Sequence, residues 1–542
     1  MPSHVSTSFI SPRSQALIVS SSDGYQDLDI LPQRLTWSYN QSSIFTALPT
    51  NTGAHFDNNS NQASISSTEA LRSPHEDDQE HVSPLDETPD SVSESVKERL
   101  VNLFYSYFYP SHPFLLPKHL FSHRGYPAYL MAAVHFIGSH HSSSISRDLL
   151  RASTARVLAD DTQKTAFMVQ ARLLFSIALL GRNEVEESQA MFAQAINLAL
   201  ELGMNQASFA TLHGRQNTVE EESLRRTWWE LYIVDGYIAA FLQKPGFNSP
   251  AIDSKVGLPG EELDYLNGTC TRSSFSIAQF NARLFSNEEI VFSSFCYRID
   301  AMRILARVLA LTDAHLVHHD DIQAVDNALT AWSHHLPLEK ADIIDTFGTV
   351  DEMLFQAHLI IQHATGLLHF PRSNIYTTLA AIPQITGGHK DPIPSSPTFT
   401  RHTHAIKAIE ASKHTSNLAA LRVSVHNYSP VLSNGLVFGV VIQLSACFMQ
   451  NDRFHEQNRD RVALMIGGLK SLSRAWPSSQ HSLQQIRNVA AEVFHVGGIA
   501  EGAIQDSFQP TASYQNVGDM SDLANDTAWL ACSNIGTLPT SL

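Results

Sequence analysis

His140-His141, His318-His319 followed by Asp320-Asp321, and His334-His335 place imidazoles and carboxylates side by side, the donor set that holds zinc, copper or iron. Adjacent residues on a helix point in different directions and seldom close on one ion, so surface histidines are the favoured reading. The His318 group is the best metal candidate of the three. His358, His363 and His369 lie along an apolar stretch with Leu354, Ile361 and Leu368. That spacing suits the wall of a small-effector cavity, although core or boundary histidines are favoured. The four cysteines, Cys270, Cys296, Cys447 and Cys532, are far apart and lack the paired spacing of a zinc site or disulfide framework, so they read as reduced thiols. There is no glycine-rich phosphate loop, nucleophile elbow or helical zinc-protease motif. An unrecognised helical enzyme is therefore the last-ranked reading, and no catalytic, cofactor-binding, metal-binding or DNA-binding residue is assigned.

A different constellation carries more information. From Glu222 the chain reads Glu-Ser-Leu-Arg-Arg-Thr-Trp-Trp-Glu-Leu-Tyr-Ile-Val-Asp-Gly-Tyr, and Gln243-Lys244-Pro245-Gly246 follows shortly after. At helical spacing Leu224, Trp228, Leu231 and Asp235 share one stripe, so Asp235 needs a partner if that stripe is buried. Arg225 or Arg226 is a candidate, although a group on another helix fits the spacing better. Trp228 and Trp229 read as core anchors. Arg225 and Arg226 read as ion-pair partners rather than phosphate contacts, because the chain is acidic.

The elements that must position these residues are helices. Val96, Leu100, Leu103, Phe104, Tyr107 and Phe108 mark an entry helix that Pro110 and Pro113 end. Val169, Leu173, Ile177 and Leu180 mark a helix from Ala166 that stops at Gly181. Asn183 with Glu186 resembles a capping box for the next, which runs through Phe192, Ile196 and Leu202 to Gly203. The pair reads as an antiparallel hairpin. Further helices are expected at about 220–242, 288–311, 320–333, 351–370, 403–421, 436–449, 459–473 and 480–504, with a Pro-rich connection over 371–400. Strand-like alternation is almost absent and no fixed-period repeat emerges. The fold class expected is all-α, a large multi-helix domain of antiparallel helical hairpins over 93–505. A disordered tail rich in Ser, Thr, Asn and Pro, acidic at its end, covers 1–92, and a flexible tail covers 506–542.

Bulk properties limit the function. Thirty-six Lys and Arg against 53 Asp and Glu give a formal charge of −17, which disfavours autonomous nucleic-acid binding. The run Ala16 to Val19 is too short for a secretory signal, and the apolar stretch 431–449 carries Ser433, Asn434, Gln443 and Ser445, so core burial is expected in place of a membrane span.

The stretch from Glu222 to Tyr237 resembles the signature helix of the fungal-specific transcription factor domain, the middle homology region. Ala195 through Met204, Leu103-Phe104-Tyr105 and His112-Pro113-Phe114-Leu115 are similar to that family's upstream pattern, so the resemblance is carried mainly by about 95–250. It implies a nuclear fungal regulator of metabolic or secondary-metabolite genes, with no cofactor, working through a homodimer or a DNA-bound zinc-cluster factor and open to a small-molecule effector. Members typically carry an N-terminal zinc binuclear cluster of six cysteines, whereas the first cysteine here is Cys270. The resemblance with that departure implies indirect contact with DNA, and a second reading as an interaction scaffold or decoy of a full-length zinc-cluster factor.

Overall fold

The computed structural model describes residues 93–499, except 144, 161, 248–254, 287–289, 312–317, 377–399, 422–428 and 450–454. The tails expected over 1–92 and 506–542, most of the Pro-rich connection, and Cys532 lie outside the described residues. The fold is all-α. Among the described residues there is no strand, only an isolated antiparallel bridge between Ile344 and Val350.

Helix α1 (Glu94–Tyr107) buries Leu100, Phe104 and Tyr105, and a 3-10 turn with Pro110 near its start takes the chain to His112. Three helices follow that the periodicity does not announce: α2 (Lys118–Arg124), α3 (Ala128–Ser139) and α4 (Arg147–Leu158). Helix α2 is too short to show a stripe, and α3 is apolar nearly all round, so neither carries a clear 3.6-residue contrast. Proline immediately precedes both, where its fixed φ and missing N–H cost least. Thr165 caps α5 (Ala166–Gly181) by accepting from Met168 N–H, and a short connection leads to α6 (Val185–Glu201). These two form the expected hairpin. Asn183 is not the cap of α6: its φ of 66° and the hydrogen bond from Glu184 N–H to Leu179 O make it the left-handed residue that closes α5. Gly203, at φ 77°, closes α6 in the same manner.

After α7 (Phe209–His213) comes α8 (Thr218–Leu242), the helix of the Trp-Trp motif, started by Asn217 accepting from Val219 and Glu220 N–H. Next are α9 (Glu262–Asn267), α10 (Ile277–Ala282), α11 (Ser294–Ala310) and α12 (His319–His334). The last group is α13 (Glu352–His369), α14 (Arg401–Ala420), α15 (Ser433–Met449), α16 (His455–Ser473) and α17 (Pro477–Ile499). Helix α11 packs along α13, α13 along α14, α14 along α15, and α15 against α16 and α17. One hydrophobic cluster runs through these helices from Leu100 to Ala490. The window Pro430–Cys447 is long and apolar enough to cross a membrane, yet 89% of it is buried within the protein.

Candidate functional site

Every residue of α8 from Glu221 to Ala240 is buried, charged ones included. A buried charge is tolerated only when paired and hydrogen-bonded, so the polar residues of this helix dictate what surrounds it. Arg226 is the most heavily satisfied. Its Nε donates to Glu222 Oε1 at 2.8 Å, Nη1 to Glu262 Oε1 at 2.5 Å and Nη2 to Gly260 O at 2.9 Å. The guanidinium also lies 4.0 Å from the centre of the Tyr265 ring. Arg225 Nε donates to the other oxygen of Glu222 at 2.9 Å, and Gly260 N–H donates to Glu222 Oε1 at 2.9 Å. Burial alone would raise the Glu222 pKa, but Arg226 and Arg225 outweigh it and hold the carboxyl below its ordinary value. Neither arginine pairs with Asp235, because both are held one turn back by Glu222. Asp235 is fully buried and its charge bears on the Tyr232 hydroxyl.

The two tryptophans are core. Trp228 is 2% exposed and Trp229 0%, and Trp229 Nε1 donates to Gly257 O at 2.9 Å, fastening the segment before α9 to α8. The segment from Pro113 to Leu116 is fastened through its carbonyls. Pro113 O accepts from Arg226, Phe114 O from Ser223, Leu115 O from Tyr265 and Leu116 O from Tyr105.

A second buried group sits farther along α8. Arg298 of α11 donates to both oxygens of Glu230, at 2.8 and 2.9 Å, and His112 Nδ1 meets Glu230 Oε1 at 2.7 Å while its Nε2 meets Ser429 Oγ at 2.6 Å. Burial opposes the Glu230 charge, yet Arg298 and His112 bring its pKa down to about 2. Glu222–Arg226 is readable from its i, i+4 spacing. Glu230–Arg298–His112 carries no local signal, because its members come from three distant parts of the chain.

A third group joins α12, α13 and α14. His369 Nε2 meets Asp326 Oδ1 at 3.0 Å, His369 Nδ1 meets His404 Nδ1 at 2.7 Å, and Lys407 Nζ donates to both Asp326 oxygens. His363 packs against Phe438, and His358 sets its edge to Trp332. Of the sequence pairs, His334-His335 and His318-His319 are exposed, with His318 preceding α12. His140 is not a surface residue. It is 1% exposed and stacks on Trp476 with ring centres 4.5 Å apart, because α3 carries it into the core. Among the described residues no three His, Cys, Asp or Glu side chains stand where they could share a metal ion. Burial raises the thiol pKa of Cys270 and Cys447 to about 11 and that of Cys296 to about 12, so these three are protonated and poorly nucleophilic at neutral pH.

Comparison with known proteins places α8 inside a family match. Residues 101–334 match the family model described as the fungal specific transcription factor domain. The chain is 32% identical over 420 residues to the C6 finger domain transcription factor iacK of Pestalotiopsis fici, an alignment covering 76% of this chain and 61% of that protein. The chain thus spans about three fifths of the length of the curated relative it matches. No solved structure matches. Residues 101–334 of this helical protein, which hold the paired arginines and tryptophans of α8, are a fungal specific transcription factor domain.

Proposed function

We propose that the protein is a non-enzymatic transcriptional regulator acting in the nucleus, and that its helical domain reaches promoters through another protein. The carrying observation is the condition of the paired arginines in α8. Arg225 and Arg226 are buried in ion pairs with Glu222 and Glu262, so the most conspicuous basic pair of the family stretch is withdrawn from phosphate. The charge of −17 acts in the same direction at long range. The partner is a second copy of the chain or a DNA-bound zinc-cluster factor, and the target is a metabolic or secondary-metabolite gene set.

The test is chromatin immunoprecipitation of the tagged chain in cells with and without the zinc-cluster protein that co-purifies with it. Promoter enrichment that vanishes on deletion of that protein is expected. Enrichment that persists, together with a gel shift by the purified chain, would refute indirect recruitment. A second reading stands beside the first: a decoy that holds a full-length relative off DNA. It predicts a stable complex with that relative, no promoter enrichment and no activation when tethered to a reporter.

A further inference from the structure

A cavity of about 320 Å³ lies where the end of α2, the first turn of α5, the end of α6, α7 and the start of α8 meet. Its apolar walls are Tyr126, Phe167, Leu202, Phe209 and Leu224. Its charged lining is positive, with Arg124, Lys164 and Arg215 set against Glu220 alone, in a chain whose overall charge is −17. Glu220 is engaged by Arg124 at 2.6 Å, and Lys164 pairs with Glu201 outside the cavity. Thr165, Ala166 and Phe167 also border the space, so the positive end of the 16-residue α5 adds to the same field.

The lining includes one buried polar group whose orientation the surrounding hydrogen bonds fix. Thr227 Oγ1 donates to Ser223 O at 2.7 Å, and Ser223 Oγ donates to Phe114 O at 2.6 Å. Both hydroxyls have used their hydrogens and can only accept, so Gln170 must turn its amide nitrogen toward them, at 2.9 and 3.4 Å. That leaves Gln170 Oε1 as the unmatched acceptor of the amide. It has no hydrogen-bond partner among the described residues, on a side chain belonging to a residue only 2% exposed that lines the cavity. A buried acceptor left unmatched is costly, and a donor on a bound molecule removes that cost.

We propose that this cavity binds a small organic acid with a flat apolar body, an anionic group and one N–H or O–H donor. The body lies among Tyr126, Phe167 and Phe209, the anion meets Arg215 and Arg124 beside the start of α5, and the donor reaches Gln170 Oε1. The volume falls at the small end of the range for ligand pockets, which suits a molecule of one or two rings. Ser223 and Leu224 adjoin Glu222 and Arg225 in α8, so occupancy bears on the charged helix at the centre of the family domain. The site stands on its own geometry and does not require the promoter role proposed above.

8-Anilino-1-naphthalenesulfonate, which combines two aromatic units, a sulfonate and an N–H, is the probe, with neutral N-phenyl-1-naphthylamine as its uncharged counterpart. Each is titrated by fluorescence into the full chain. Saturable binding of the sulfonate at one site per chain is expected, with the neutral compound about tenfold weaker. Gln170→Leu and Arg215→Glu each weaken the sulfonate by about tenfold. His481→Ala, in a separate cavity between α5, α8, α15 and α17, leaves it unchanged. Arg215 is exposed, so its variant carries the result even where Gln170→Leu fails to fold. Non-saturating binding, equal affinity for the neutral compound, or an unchanged affinity in Arg215→Glu would overturn the proposal.

Discussion

Glu230 remains charged in the middle of a helical core because its two oxygens are fully engaged by a guanidinium and an imidazole, and the reverse also holds. Arg298 is buried only because Glu230 is there to meet it. Glu230→Gln removes the charge but keeps the shape, leaving Arg298 buried with a neutral partner. Breaking a buried pair from one side costs about 3–5 kcal/mol, whereas replacing both members by apolar residues of similar volume costs much less. Urea unfolding followed by circular dichroism is therefore expected to show a large loss for Glu230→Gln and a smaller one for the double variant Glu230→Leu with Arg298→Met. A single variant as stable as the parent would show that the pair is solvated. The pH dependence has a definite sign. The Glu230 pKa lies at about 2 when folded against 4.5 for the free group, so its contribution is complete above about 4.5 and is lost as pH falls toward 2.

At the scale of elements, α1 and α3 approach each other more closely than side chains permit. A Cβ built on Gly138 would stand 2.1 Å from the backbone oxygen of Leu100, and a main-chain atom of α1 cannot move aside without moving the helix. Gly138→Ala is expected to cost about 1–3 kcal/mol by forcing the two helices apart, at the upper end of that range because the obstacle is backbone. At Gly435 the nearest neighbour of a built Cβ is a Leu359 side-chain atom at 3.4 Å, an ordinary contact, so Gly435→Ala should be close to neutral. Thermal melts of the two variants decide it, and equal melting points would contradict the close-approach account. Helices with contrasting faces or clear caps were legible in the sequence: α1, α5, α6, α8 and α12 lie within a few residues of where periodicity places them. Helices α2, α3, α7, α9 and α10 were not, being short or lacking a contrasting polar face, and α4 was overlooked although Leu150, Thr154 and Leu158 mark one buried face. Sequence suggested the burial of Trp228 and Trp229 from the aromatic pair and the ion-pairing of Arg225 and Arg226 from the acidity of the chain, but it looked to Asp235 and overlooked Glu222, three and four residues before the arginines. It could not reveal Gln170 beside Thr227 or Glu230 beside Arg298, because those neighbours are set by which helices pack together.

For the whole molecule, histidine burial should govern behaviour in mild acid. Of the 27 histidines, protonating seventeen would bring the chain from −17 to neutrality, and lower net charge by itself favours the compact state. The buried histidines act in the opposite direction. Burial lowers the pKa of His140 to about 3 and of His363 to about 4, against 6.5 for a free imidazole. Below pH 6.5 the unfolded chain takes up protons that the folded chain refuses, so the stability from these groups is complete above 6.5 and declines as pH falls toward their folded values. His363 alone is worth on the order of 3 kcal/mol over that interval, since one pKa unit corresponds to about 1.4 kcal/mol. If self-repulsion dominated, the urea midpoint would rise on acidification from pH 7 to 5; if buried imidazoles dominate, it falls. We expect a fall, and we expect His363→Leu to flatten it, because leucine fills the space beside Phe438 without a proton to bind in the unfolded chain. An unchanged slope in that variant would place the acid sensitivity elsewhere in the molecule. A midpoint that rises would show that the charge of −17, and not the core histidines, sets the response.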